Sequence, residues 1–113
     1  MTKRTLLRGG RLVDPASGHD GVADVLLDGA VVAEVGAGLE VAGAKEVDCG
    51  GLVVCPGFVD LHVHLREPGR EDAETVETGT QAAALGGFTA VHAMANTDPV
   101  ADTAGVVEQV WRL

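Results

Sequence analysis

Phe58-Val59-Asp60-Leu61-His62-Val63-His64-Leu65-Arg66 carries the reading of this chain, because an apolar opening runs into two histidines and an arginine at alternate positions. In an extended strand, successive side chains point to opposite faces. Asp60, His62, His64 and Arg66 then share one face, and Leu61, Val63 and Leu65 the other. The first face has the donors of a metal site and the second has the character of a core. Val53, Val54, Phe58 and Val59 ahead of it are apolar on both faces, as expected of a buried parallel strand. The histidines fall at the C-terminal end of that strand, where βα folds place their sites.

This strand is assigned to residues 58–65, and the sequence beyond it keeps to the same fold class. Residues 72–85 read as a helix whose acidic start, Glu71, Asp72, Glu74 and Glu77, suits the positive end of the helix dipole. Gly86-Gly87 supplies its stop, and residues 88–94 read as a second apolar strand. A crossover of this length permits parallel pairing, so the order is strand, helix, parallel strand. A polar loop over 96–102 precedes a second helical pattern from Thr103, with Val106, Val107, Val110 and Trp111 on one face. That pattern runs to Leu113 without a cap. Two parallel strands and one and a half helices cannot close a barrel or complete a doubly wound sheet. The expectation is therefore an α/β chain that is the N-terminal piece of a longer protein.

Upstream the character is different. Residues 5–7, 11–13, 22–27 and 31–35 are short β-like runs among glycines, and residues 46–54 continue in that style. Asp28-Gly29 predicts a tight type I′ hairpin, and Cys55-Pro56-Gly57 breaks the pattern. The domain boundary falls there, giving an all-β part over residues 1–54 and a βαβ part over residues 55–113.

Composition narrows the function classes. Of 113 residues, 46% are hydrophobic and 22% charged, as in a packed globular chain. Eight Lys and Arg against 17 Asp and Glu give a net charge of -9, which offers no electrostatic footprint for nucleic acid or an anionic membrane. A small-molecule ligand is the better expectation. The short apolar pair after Thr2-Lys3-Arg4 is no signal-peptide core, and a cytoplasmic location is expected. Cys49 and Cys55 are not a CxxC pair and read as buried free thiols.

Each candidate ligand has an ordinary alternative. His62 and His64 at i and i+2 can share a zinc ion, or can belong to a solvated polar strand face. Cys55 is seven residues before His62, roughly 23 Å along an extended strand, too far to join them. His92 reads as a packed, hydrogen-bonded imidazole rather than a third ligand, and His19 as a solvated loop residue. Asp60 can orient a histidine or bond to nearby backbone. Arg66 can hold an anionic substrate or pair with Glu67 or Glu71. Asn96 can reach the same rim as His64 and Arg66 or serve as a turn residue before Asp98-Pro99. Two histidines do not complete a catalytic zinc site, which takes three protein ligands and one open position.

Three stretches together carry a family resemblance: Pro56-Gly57-Phe58-Val59-Asp60-Leu61-His62-Val63-His64-Leu65-Arg66-Glu67-Pro68-Gly69, Thr78-Gly79-Thr80-Gln81-Ala82-Ala83-Ala84-Leu85-Gly86-Gly87-Phe88-Thr89 and Met94-Ala95-Asn96-Thr97-Asp98-Pro99. The chain resembles the bacterial dihydroorotases of the amidohydrolase superfamily, most densely between Pro56 and Pro99. The resemblance implies the start of a metal-dependent (β/α)8 TIM-type barrel preceded by a small β-sandwich domain. It implies one or two Zn2+ per subunit, with His62 and His64 as ligands, and His64, Arg66 and Asn96 facing the substrate. The implied reaction is the reversible cyclisation of N-carbamoyl-L-aspartate to L-dihydroorotate in pyrimidine biosynthesis. Where the family commonly has proline before the rim asparagine, this chain has Ala95. The family's bridging ligand, further histidines and general-base aspartate would lie after Leu113, so no catalytic base is assigned and these residues alone should be inactive. Lys3 and Lys45 both precede the barrel and cannot be that bridge. The alternatives are an allantoinase or hydantoinase, whose substrates lack the same carboxylate, and a non-catalytic dihydroorotase-like partner of aspartate carbamoyltransferase. A homo-oligomer is a further possibility.

Overall fold

The computed structural model describes residues 4–113 and divides into two compact units between Pro56 and Gly57. The first is a mixed five-stranded sheet of β1 (Arg4–Asp14), β2 (His19–Asp28), β3 (Val31–Gly36), β4 (Lys45–Asp48) and β5 (Val53–Val54). Its order is β3-β2-β1-β4, with β5 also on β1. β1 pairs antiparallel with β2, and β2 with β3, whereas β4 and β5 run parallel to β1. Central position explains the continuous buried run Ala23–Leu26 in β2, since that strand is flanked on both sides. Leu12, Ala23 and Val25 form the core, with Leu7, Leu27 and Val54 against it.

β1 is one long strand where two short runs are expected, because a bulge joins them. Leu7 opposes Val25 but Gly10 opposes Ala23, so Arg8 and Gly9 together face Asp24. Gly9 has φ +71°, a left-handed conformation that a side chain disfavours. Asp24, 4% exposed, accepts the Gly9 N–H at 2.8 Å on one carboxylate oxygen and the Leu39 N–H at 2.9 Å on the other. Those two N–H groups first, then the Arg8 guanidinium, hold its carboxyl below the usual aspartate range. Arg8 continues the network to Glu46 through Nη2 at 2.8 Å and Nε at 3.0 Å. On the other edge of β1, β4 pairs with Thr5–Arg8 and β5 with Arg11–Leu12, so the two are separate strands on either side of Gly9.

Three expectations for this unit need correction. In the β2–β3 hairpin, Asp28 pairs with Val31, so the central residues are Gly29 and Ala30. Only Gly29 has positive φ, +62°, which is the II′ pattern rather than I′. Cys49 is buried as expected, but Cys55 is exposed, since it lies in the unpaired stretch after β5. His19 is exposed as expected, although it opens β2 rather than lying in a loop.

The second unit is β6 (Phe58–Val63), α1 (Val76–Leu85), β7 (Phe88–Ala93) and α2 (Ala104–Arg112). β6 and β7 are parallel, and α1 packs on β7. This strand–helix–strand unit is the one from which (β/α)8 barrels are built, although no barrel is present among the described residues. β6 is not buried on both faces: Leu61 is 70% exposed, because β7 is its only paired neighbour among the described residues. α1 begins four residues later than expected. Thr75 caps it, accepting from the Thr78 N–H at 3.1 Å while its own N–H reaches Thr78 Oγ1 at 2.9 Å. The acidic run 71–74 therefore lies ahead of the helix, and Glu77 alone is in its first turn. Along α2, Val106 and Val110 are half-buried, whereas Trp111 is 88% exposed.

Candidate functional site

β6 ends at Val63, so His62 is its penultimate residue, while His64 and Arg66 stand on the loop beyond it. Strict alternation also breaks inside the strand. Asp60 opposes Val91 and Val63 opposes Ala93, which leaves Leu61 and His62 together against His92. This bulge re-aims the end of the strand and frees the His62 N–H, which donates to Asp60 Oδ1 at 3.0 Å. Asp60 thus takes the backbone-bonding role of its two readings, at the residue that carries a candidate ligand.

His62 and His64 come together edge to face, with ring centres 5.1 Å apart. Two imidazoles sharing a tetrahedral zinc through bonds of about 2.0–2.1 Å would place their ring centres about 5.3 Å apart, so the separation of this pair matches that of two ligands of one ion. His64 Nδ1 lies 2.9 Å from Asn96 Oδ1, across from the loop after β7. His64, Asn96 and Arg66 all lie on the loops that leave the C-terminal ends of β6 and β7.

The two loops are locked by contacts that sequence reasoning missed. Asp98 N–H donates to Pro68 O at 3.0 Å, and a Cβ at Gly69 would meet Asp98 Cβ and O at 2.6 Å. Only glycine, with φ +108°, permits that approach. The Pro68-Gly69 turn was the available signal, but its partner lies 29 positions away. Glu67 reaches the start of α1, accepting the Val76 N–H at 2.8 Å, and Glu71 accepts the Gly69 N–H at 2.9 Å. That bond, first among its causes, lowers the Glu71 carboxyl below its usual range. With both carboxylates engaged, Arg66 makes no ion pair with either among the described residues, and it is exposed on the loop after β6.

The structure does not bring every candidate into the site. His92 is exposed rather than packed, because the bulge places it opposite two residues on an open two-stranded sheet. Among the described residues no three His, Cys, Asp or Glu side chains converge as a metal cluster. A concavity of about 410 Å³ is lined by Leu65, Val76, Val91, Val107 and Trp111, and includes neither histidine. Its apolar walls suit packing more than an anionic substrate. No helix among the described residues is long and apolar enough to cross a membrane.

In fold this chain is similar to part of the solved hydantoinases, a class of cyclic-amide hydrolases. L-hydantoinase (dihydropyrimidinase) from Arthrobacter aurescens superposes with a TM-score of 0.80 at 29% identity, over 96% of this chain and 24% of that one. Dihydropyrimidinase from Brevibacillus agri gives 0.77 at 29%, over 96% and 23%. Sequence narrows the class. A family model described as dihydro-orotase-like matches residues 51–112. The dihydroorotase of Streptomyces coelicolor is 61% identical over 110 residues, and that of Mycobacterium leprae 54% over 108. They cover 97% and 95% of this chain. The chain belongs to the dihydroorotase-like family. It spans about a quarter of the length of these relatives, 24% in each case.

Proposed function

We propose that this chain forms part of a zinc-dependent dihydroorotase, which interconverts N-carbamoyl-L-aspartate and L-dihydroorotate with loss or gain of water. The observation that carries the reading is the His64–Asn96 contact at 2.9 Å, which gathers a histidine pair and an exposed arginine at one rim in a chain of this family. His62 and His64 would hold zinc, with the remaining ligands and the general base supplied by parts of the protein outside these residues. When bound, the ion supplies Lewis-acid polarisation of the ring amide and activation of water. Arg66 binds the substrate carboxylate through paired charge-assisted hydrogen bonds, and the Asn96 amide N–H groups donate to the same end. Held at that end, the ring amide lies over the histidine pair instead of drifting, which lowers the entropic part of the barrier. The Gly69–Asp98 contact fixes the spacing between these anchors.

In the intact protein, His62→Ala should abolish stoichiometric zinc and cyclisation together. Full zinc and a normal rate in that variant would overturn the assignment. The hydantoinase superpositions support a second reading, a cyclic-amide hydrolase acting on neutral rings. Arg66→Met separates the two. A dihydroorotase loses about 1.5–3 kcal/mol of substrate binding, roughly 10- to 150-fold in KM, because a charged partner is left unbonded. A hydantoinase acting on neutral rings retains its KM.

A further inference from the structure

The geometry points to Asn96 as a positioning residue that selects the ring tautomer of His64, in addition to any contact with substrate. The inference rests on the proposal that His64 ligates zinc. Asn96 Oδ1 lies 2.9 Å from His64 Nδ1. A carbonyl oxygen only accepts, so this bond requires the hydrogen on Nδ1. In the neutral imidazole the lone pair is then on Nε2, the form that can bind a metal, and the ring is held in one orientation. His64 needs such support because it lies one residue past the end of β6, where the strand ladder no longer fixes it. Asn96 is suited to the task because its loop is tied to the His64 loop by the Asp98–Pro68 hydrogen bond and the close approach at Gly69. With Oδ1 committed to His64, the amide Nδ2 remains to donate to an anionic ligand. One side chain thereby couples the metal ligand to the substrate anchor.

The test uses the intact protein and two readouts besides turnover. In the metal-free protein, nitrogen NMR of labelled histidine should show His64 as the Nδ1–H tautomer, a result that needs no variant. Zinc affinity, measured by competition with a chromophoric chelator, should fall about 10- to 100-fold in Asn96→Ala, as for other partners of metal-bound histidines. Asn96→Asp keeps an acceptor for Nδ1 but removes the amide donor. It should retain wild-type zinc affinity while raising KM for L-dihydroorotate through like-charge repulsion. Wild-type zinc affinity in Asn96→Ala, or an Nε2–H tautomer for His64, overturns the inference. If His64→Ala itself keeps wild-type zinc affinity, the ligand assignment fails and the inference falls with it.

Discussion

Asp24 shows how one side chain decides a strand. In sequence it is a charged residue inside an otherwise apolar run, yet it is buried and holds the N–H groups of Gly9 and Leu39, each 15 positions away. Because its carboxyl titrates below the unfolded value of about 3.9, the folded state binds fewer protons than the unfolded one near that pH. Its contribution is therefore complete only above about pH 5 and is lost as pH falls through the unfolded value and then the lowered one. Asp24→Asn removes the charge and can offer an acceptor to only one of the two N–H groups. Urea unfolding of the intact protein should show lower stability at pH 7 and a shallower decline between pH 5 and 3. An unchanged acid limb would mean that Asp24 does not titrate below its usual range. Asp60 repeats the theme at the candidate site, where a carboxylate serves a backbone N–H released by a bulge. Neither bulge was legible from periodicity, because each is defined by the partner strand.

At the scale of elements, the β6–α1–β7 order was readable from apolar runs, the acidic stretch and the Gly86-Gly87 stop. The ends of the elements were not. α1 starts at Val76 because Thr75 and Thr78 cap each other and Glu67, nine positions upstream, takes the Val76 N–H. The histidine pair and Arg66 were legible as a motif, but their mutual geometry was not. It depends on where β6 stops and on Asn96, 32 positions beyond His64. The packing of α1 on the site loop was equally hidden. A Cβ at Gly79 would lie 2.7 Å from Leu65 Cδ2 and 2.8 Å from a Glu74 oxygen. A helical glycine normally gains about 1 kcal/mol when replaced by alanine. Gly79→Val should instead destabilise the intact protein by about 1–3 kcal/mol, because overpacking displaces buried Leu65. Leu65 lies between His64 and Arg66, so zinc affinity should fall in parallel. Chemical denaturation together with metal competition checks both, and a stabilised variant with unchanged affinity would refute the packing argument.

For the whole molecule, burial is unequally divided. Leu6, Leu12, Val25, Leu26 and Cys49 are buried in the first unit, whereas Leu65 is the one buried large hydrophobic residue described after Pro56. Meanwhile Leu85 and Trp111 are 90% and 88% exposed. One buried leucine contributes about 1.5–3 kcal/mol. The second unit therefore has the smaller share of the apolar burial that must offset the ordering of its backbone. The first unit has both a core and the Asp24–Arg8–Glu46 network. The expected behaviour of a polypeptide of residues 1–113 is therefore split. Amide hydrogens of β1 and β2 should be protected from exchange, and those of β6, β7 and α1 should exchange at nearly the unfolded rate. The exposed apolar surface should bind a hydrophobic dye. In a protein that supplies further strands and helices against β6 and β7, protection of these elements should rise to that of β1. A single cooperative thermal transition of the 113-residue polypeptide, with equal protection in β2 and β7, would show that the second unit is stable by itself. The proposed dependence on the rest of a dihydroorotase would then be wrong.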